Sequence, residues 1–162
     1  MILDIKKNKI IISLRDIRVK QLALFIIFLV VFMTSCSQKK SIQYSKTLNE
    51  LANSHQKSID KGQSMMADTR KYSIQMDSML NLVYKDLIVR LNEVEKDSLI
   101  TEQRKWLKNR DAEFRNYSLS LDTVRDILGF IPRDDRMFVY DKQGEYIRLR
   151  VLELVSYLHR VE

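Results

Sequence analysis

The sequence predicts an all-α protein, a small bundle of three or four helices built on an antiparallel helical hairpin. Three observations carry that expectation. Three glycines and one proline among 162 residues leave few turn signals, which favours long helices over a many-stranded sheet. Apolar residues recur at steps of three and four through much of the chain beyond residue 65, the spacing of one helix face. A single cysteine excludes an intramolecular disulfide framework, so stability has to come from packed apolar stripes.

The chain opens on a segment of a different kind. Lys6, Lys7, Lys9, Arg15, Arg18 and Lys20 form a basic region, Leu22–Met33 an apolar run, and Thr34-Ser35-Cys36 follow. That order is the layout of a secretory signal peptide with small residues at its cleavage site. A cysteine directly after them makes residues 1–35 resemble a bacterial lipoprotein signal. A thiol is readily alkylated to a thioether, so Cys36 is expected to carry a diacylglyceryl group. The amine freed by cleavage would take a further acyl chain such as palmitate. Two chains suffice for stable anchoring, at about 0.8 kcal/mol per buried methylene. The competing reading is a short uncleaved anchor, although the apolar run falls well short of the ~20 residues a spanning helix needs. Ser37, rather than an aspartate, after the cysteine resembles the outer-membrane pattern. The expected location is therefore the cell envelope, lipid-anchored at the outer membrane and facing the periplasm.

Of 28 Lys and Arg and 21 Asp and Glu, residues 1–35 hold six and two, leaving 22 against 19 in the rest. That near balance gives no reason to expect a nucleic-acid partner. Residues 36–47 read as the lipidated cysteine and a polar tether, and 48–162 as the helical domain. Leu48, Leu51, His55 and Ile59 suggest a short, weakly amphipathic helix over 48–61, ended by Gly62. The strongest pattern runs from Met65 to Glu95, where Tyr72, Met76, Met79, Leu80, Val83, Leu87, Leu91 and Val94 share a face. A second runs from Ser98 to Tyr117, with Leu99, Gln103, Trp106, Leu107, Arg110, Phe114 and Tyr117 on one side and Asp97 or Ser98 as cap. A turn at 93–97 makes these two a hairpin. One continuous helix is the rival, because that turn lacks Gly and Pro. Residues 118–143 read as irregular, around Gly129, Pro132 and the charged run Arg133-Asp134-Asp135-Arg136. Residues 145–160 read as a helix, with Ile147, Val151, Leu154 and Leu158 on one face and Tyr146, Leu149 and Leu152 beside it. A β-hairpin turning at Asp141–Gly144 is the alternative for 138–147.

No catalytic constellation emerges. His55 and His159 stand far apart without metal-ligand spacing and read as surface or boundary residues. No phosphate loop, nucleophile elbow or zinc-protease motif is present. The expectation is a non-enzyme with no metal and no cofactor. The five methionines beyond residue 36 suit gap-filling in a core better than a small-molecule pocket. Polar residues on the apolar stripes stand out instead. Asn81, Gln103 and Arg110 are expected to hydrogen-bond between the two hairpin helices and fix their register.

Asp77-Ser-Met-Leu80-Asn81-Leu-Val-Tyr84, followed by Gln103-Arg104-Lys-Trp106-Leu-Lys-Asn-Arg110-Asp111-Ala112, resembles the LprI-like lysozyme-inhibitor domain. That family carries a D-x-x-L-N-x-x-Y helix and then a Q-R-x-W-x-x-x-R-D helix. Its later helix, with an arginine followed by Glu-Leu, is matched by Arg150 and Glu153-Leu154. The likeness spans roughly Met65–Leu158. The family's bracketing cysteines are replaced by Asp68 and Phe114, as though a disulfide had been lost as a unit. The resemblance implies a helical envelope module whose partner is a lysozyme or other cell-wall enzyme, with the motif residues mainly structural. Phe130, Ile131, Arg133 and Met137, in the stretch read as a loop, are the expected partner contacts. The alternative is a structural lipoprotein that scaffolds other envelope components and inhibits nothing.

Overall fold

A computed structural model describes residues 39–162, and these form four helices: α1 (Lys40–Asp60), α2 (Met65–Ile88), α3 (Glu93–Leu128) and α4 (Arg133–Val161). No strand occurs among the described residues, and none of these helices is long and apolar enough to cross a membrane. The signal-like leader, its cleavage site and Cys36 lie outside the described residues.

The all-α bundle is as expected, but its centre is not the sequence-adjacent hairpin. The principal packing pair is α2 with α4. Tyr72 bonds to Glu145 and Arg90 reaches Glu162, so the two helices run parallel. Their buried faces are the stripes read from the sequence: Tyr72, Met76, Met79, Leu80, Val83 and Leu87 against Ile147, Val151, Leu154 and Leu158. Full burial of such side chains contributes roughly 1.5–3 kcal/mol each. Gly144 sits where the pair comes closest, because a β-carbon there would lie 3.0 Å from the Tyr72 ring.

α1 and α3 pack antiparallel to that pair on opposite flanks. Around α2, Tyr72 and Asp86 turn toward α1, whereas Asp77 and Tyr84 turn toward α3. From α1, Leu48 enters the core and His55 stacks on Tyr72, with ring centroids 4.2 Å apart. The His55 side chain is only 10 % exposed and its Nε2 lies 3.0 Å from Asp141. From α3 only Leu99 and Gln103 are buried, while Trp106 and Phe114 lie against Tyr146 of α4.

The helix boundaries correct several expectations. α1 begins at Lys40, so residues 40–47 are not a tether. Its first-turn amides have no cap from Lys39. Instead the Glu162 carboxylate accepts from the N–H of Lys40 at 3.0 Å, the N–H of Ser41 at 3.2 Å and the Ser41 hydroxyl at 2.6 Å. A carboxylate at a helix N-terminus satisfies orphan amides and complements the macrodipole. The α2–α3 connection falls at 89–92, earlier than expected, and excludes the continuous helix. Asn92 is the cap there: it accepts from the N–H of Glu95, whose side chain accepts from the N–H of Asn92. Val94, expected on the buried stripe, is therefore in the first turn of α3 and 81 % exposed.

Residues 118–143 are helical except for 129–132, and there is no β-hairpin at 138–147. Arg125 pairs with Asp122 within α3 at 2.9 Å. Gly129, at φ 76°, supplies the left-handed residue that ends α3, its N–H bonding the Arg125 carbonyl. Asp134 and Asp135 then fall in the first turn of α4, where the dipole favours them.

Candidate functional site

α2 and α3 diverge enough to leave a groove of about 480 Å³ between them. The reason is that α3 leans the other way. Arg150 of α4, only 4 % exposed, donates to Gln103 Oε1 at 3.1 Å and to Glu102 at 2.6 Å, and the Trp106 ring meets Tyr146 at 5.7 Å. These contacts zip α3 to α4 and leave its α2 side open.

The walls of the groove are Asp77, Leu80, Asn81 and Tyr84 from α2 and Ile100, Gln103, Arg104, Leu107 and Arg110 from α3. Seven of the nine residues singled out in the two sequence motifs are on that list. Trp106 is turned toward α4, and Asp111 acts from behind by accepting from Arg110 at 3.0 and 2.7 Å. Arg110 is further held by Asp77 at 3.7 Å and by the faces of Trp106 and Phe114. It is a fixed cation before any partner arrives.

The expected register lock between the hairpin helices is only partly present. Arg110 with Asp77 spans α2 and α3, but Gln103 bonds across to α4, and Asn81 is exposed and donates to Asp77 within its own helix. Arg104 and the Tyr84 hydroxyl bond to no described residue, so both are open to a ligand. The groove thus offers an apolar floor of Leu80, Ile100 and Leu107 beneath guanidinium, phenol and amide groups. That set suits recognition of a polypeptide segment or other polar chain.

The four expected contact residues do not form one loop. Phe130 is 62 % exposed in the short α3–α4 connection and Arg133 opens α4 beside it. Ile131 is half-buried. Met137 lines a different cavity of about 520 Å³, between α1, α2 and α4, together with His55, Phe138, Asp141, Glu145 and Arg148. The sequence reading missed Ile127 and Leu128, both exposed on the last turn of α3 next to Phe130. Their apolar side chains are visible in the sequence, but only a helix continuing to Leu128 places them at this tip.

Two of the tyrosines near the α1 flank hold their protons strongly. Burial, then hydrogen bonding to Asp86, pushes Tyr44 up to about 12. Burial, then hydrogen bonding to Glu145, pushes Tyr72 up further. Asp86 moves the opposite way, lowered first by the hydrogen bond from Lys40 and then by that from Tyr44. Burial acts to raise Glu162, but the Ser41 hydrogen bonds outweigh it and hold the carboxyl below its ordinary value.

Residues 53–130 match the family model described as lysozyme inhibitor LprI. The match takes in both motif blocks and ends at the α3–α4 connection, so Arg150 and Glu153-Leu154 fall outside it. No curated protein and no solved structure matched the chain.

Proposed function

From the premise that this chain carries an LprI-like domain, we propose that it is a non-enzymatic binding protein of the cell envelope whose partner is a lysozyme-type cell-wall enzyme. The observation that carries the reading is the convergence of the motif residues on one open groove. Two of them, Asn81 and Arg104, are exposed rather than packed into the core. A segment of the partner lying in the groove would meet Arg104 and Tyr84 first and settle on Leu80 and Leu107. The exposed tip at Phe130 and Arg133, one helix end away, would supply a second contact. Lipid on Cys36 would hold the domain at the membrane, with the outer membrane as the expected site.

The test is lysozyme activity on cell-wall substrate with the purified domain, residues 37–162, added in increasing amounts. Dose-dependent inhibition is expected, with the inhibitory concentration rising at least tenfold in Tyr84→Ala/Arg104→Glu and less in Phe130→Ala/Arg133→Ala. A folded, helical domain that leaves several lysozymes untouched would overturn the inhibitor reading and favour a scaffolding lipoprotein.

A further inference from the structure

The structure places the start of α1 four residues after Cys36, where the sequence alone suggested a tether. Only Ser37, Gln38 and Lys39 separate the two, so Lys40 lies within about 14 Å of the cysteine however the chain runs between them. A lipid on Cys36 would therefore keep the surface adjoining the start of α1 within reach of the bilayer.

That surface is apolar. Ser41, Ile42 and Ser45 of α1 and Leu152, Val155 and Ser156 of α4 line a shallow groove of about 390 Å³. Ile42 is 47 % exposed and Leu152 38 %, and Leu149, one turn back along the same side of α4, is 56 % exposed. The only titratable side chain lining the groove is His159, and its Nδ1 lies 3.3 Å from the Ser41 hydroxyl. Farther from Cys36, the cavity between α1, α2 and α4 sets Asp141, Glu145 and Arg148 beside Met137 and Phe138. The groove without Asp, Glu, Lys or Arg in its lining is thus the one nearest the short spacer. Arg160, exposed and 3.4 Å from the Ser156 hydroxyl, stands at the groove's edge, and exposed Lys39 directly precedes α1; long cationic side chains can reach phosphates while their stems lie on apolar surface.

We propose that this α1–α4 face, centred on Ile42, Leu149 and Leu152, rests on the phospholipid surface of the membrane that holds the protein. The inference rests on the lipid anchoring at Cys36 proposed above. The acyl chains supply residence on the bilayer, and the face supplies orientation, since interfacial binding grows with the apolar area presented. A functional consequence follows from the arrangement of the bundle. α1 and α3 lie on opposite flanks of the α2–α4 pair, so a domain resting on its α1–α4 face turns the α2–α3 groove away from the bilayer. The motif groove then opens toward soluble partners.

The test uses the full lipoprotein, because thioether formation at Cys36 leaves any introduced cysteine as the one free thiol. Leu152→Cys, Val94→Cys and Lys108→Cys are each purified from membranes, labelled with an environment-sensitive fluorophore and reconstituted into vesicles of phosphatidylethanolamine and phosphatidylglycerol containing brominated lipid. Helical circular dichroism checks the fold of each, and mass spectrometry checks the lipid on Cys36. Quenching several-fold stronger at 152 than at 108 or 94 is expected. Strongest quenching at 94 would mean that the α2–α3 connection meets the membrane end-on, and strongest quenching at 108 that α3 does; equal, weak quenching at all three would mean a freely tumbling domain. Each of these overturns the proposed face. Absence of lipid on Cys36 would instead defeat the anchoring reading, and this one with it, and the mass spectrum separates that failure from the others.

Discussion

A β-carbon at residue 144 would lie 3.0 and 3.2 Å from two carbons of the Tyr72 ring and 3.4 Å from the Ser73 backbone. Tyr72 has little room to give way, since it is 1 % exposed, stacked on His55 and bonded to Glu145. A glycine inside a helix costs about 1 kcal/mol against alanine, so its presence here answers to packing. Gly144→Leu is expected to destabilise the domain by about 1–3 kcal/mol through overpacking, read as a lower urea midpoint at unchanged slope. From sequence this glycine fell between an irregular stretch and the last helix, with a hairpin turn as the alternative, because a lone glycine signals a turn, a bulge or a close approach with equal force. Gln103 shows the opposite case. Its burial was legible from its place on an apolar stripe, but its partner, Arg150, lies 47 residues away and no local rule points there.

α3 shows how far a helix can depart from its packing. It runs 36 residues, yet only Leu99 and Gln103 along it are buried. Its start depends on the Asn92–Glu95 capping box, so Asn92→Ala should cost about 1 kcal/mol. Native-state hydrogen exchange would detect it as faster exchange confined to the first turns of α3. The end of this helix was read as loop for a physical reason. Beyond Tyr117 the stripe loses its apolar partner, and sequence periodicity reports burial on one face rather than helicity itself. The segment stays helical through its backbone ladder, with the Arg125–Asp122 pair three residues apart as local support, and ends only where Gly129 permits the left-handed turn. The stripes of α2 and α4 were legible because those helices bury them. The start of α1 was not, because its cap comes from residue 162.

At the scale of the whole domain, the end where α1 starts and α2 and α4 finish is held by a network of ionisable groups. Lys40 and Tyr44 bond Asp86, while Ser41 and Arg90 engage Glu162. Asp86 and Glu162 both have lowered folded-state values, so their contribution is complete above the unfolded carboxylate range and lost as pH falls through the folded values. Chemical-denaturation midpoints should be flat near neutrality and fall below about pH 4.5, and Glu162→Gln should make that fall shallower. Tyr44 and Tyr72 act at the other extreme. Their folded-state values are raised, so the stability they lend is present below about pH 10 and declines as pH climbs toward 12 and beyond. The all-helical class and both motif blocks were open to reading in the chain. The groove they form was not, because it exists only where α3 leans toward α4.

The parallel pairing of α2 with α4 has a consequence for how the polypeptide comes into being. Tyr72 meets Glu145 and Arg90 meets Glu162, partners separated by 73 and 72 positions, so α2 can bury its stripe only after all of α3 and most of α4 have been made. While the ribosome is still reading through α3, α2 has no helix to bury against, and its stripe stays in water or on a chaperone. Contacts that close such long loops form late and slowly. Until α4 has formed, the chain has no completed core, and the domain folds as one unit or not at all.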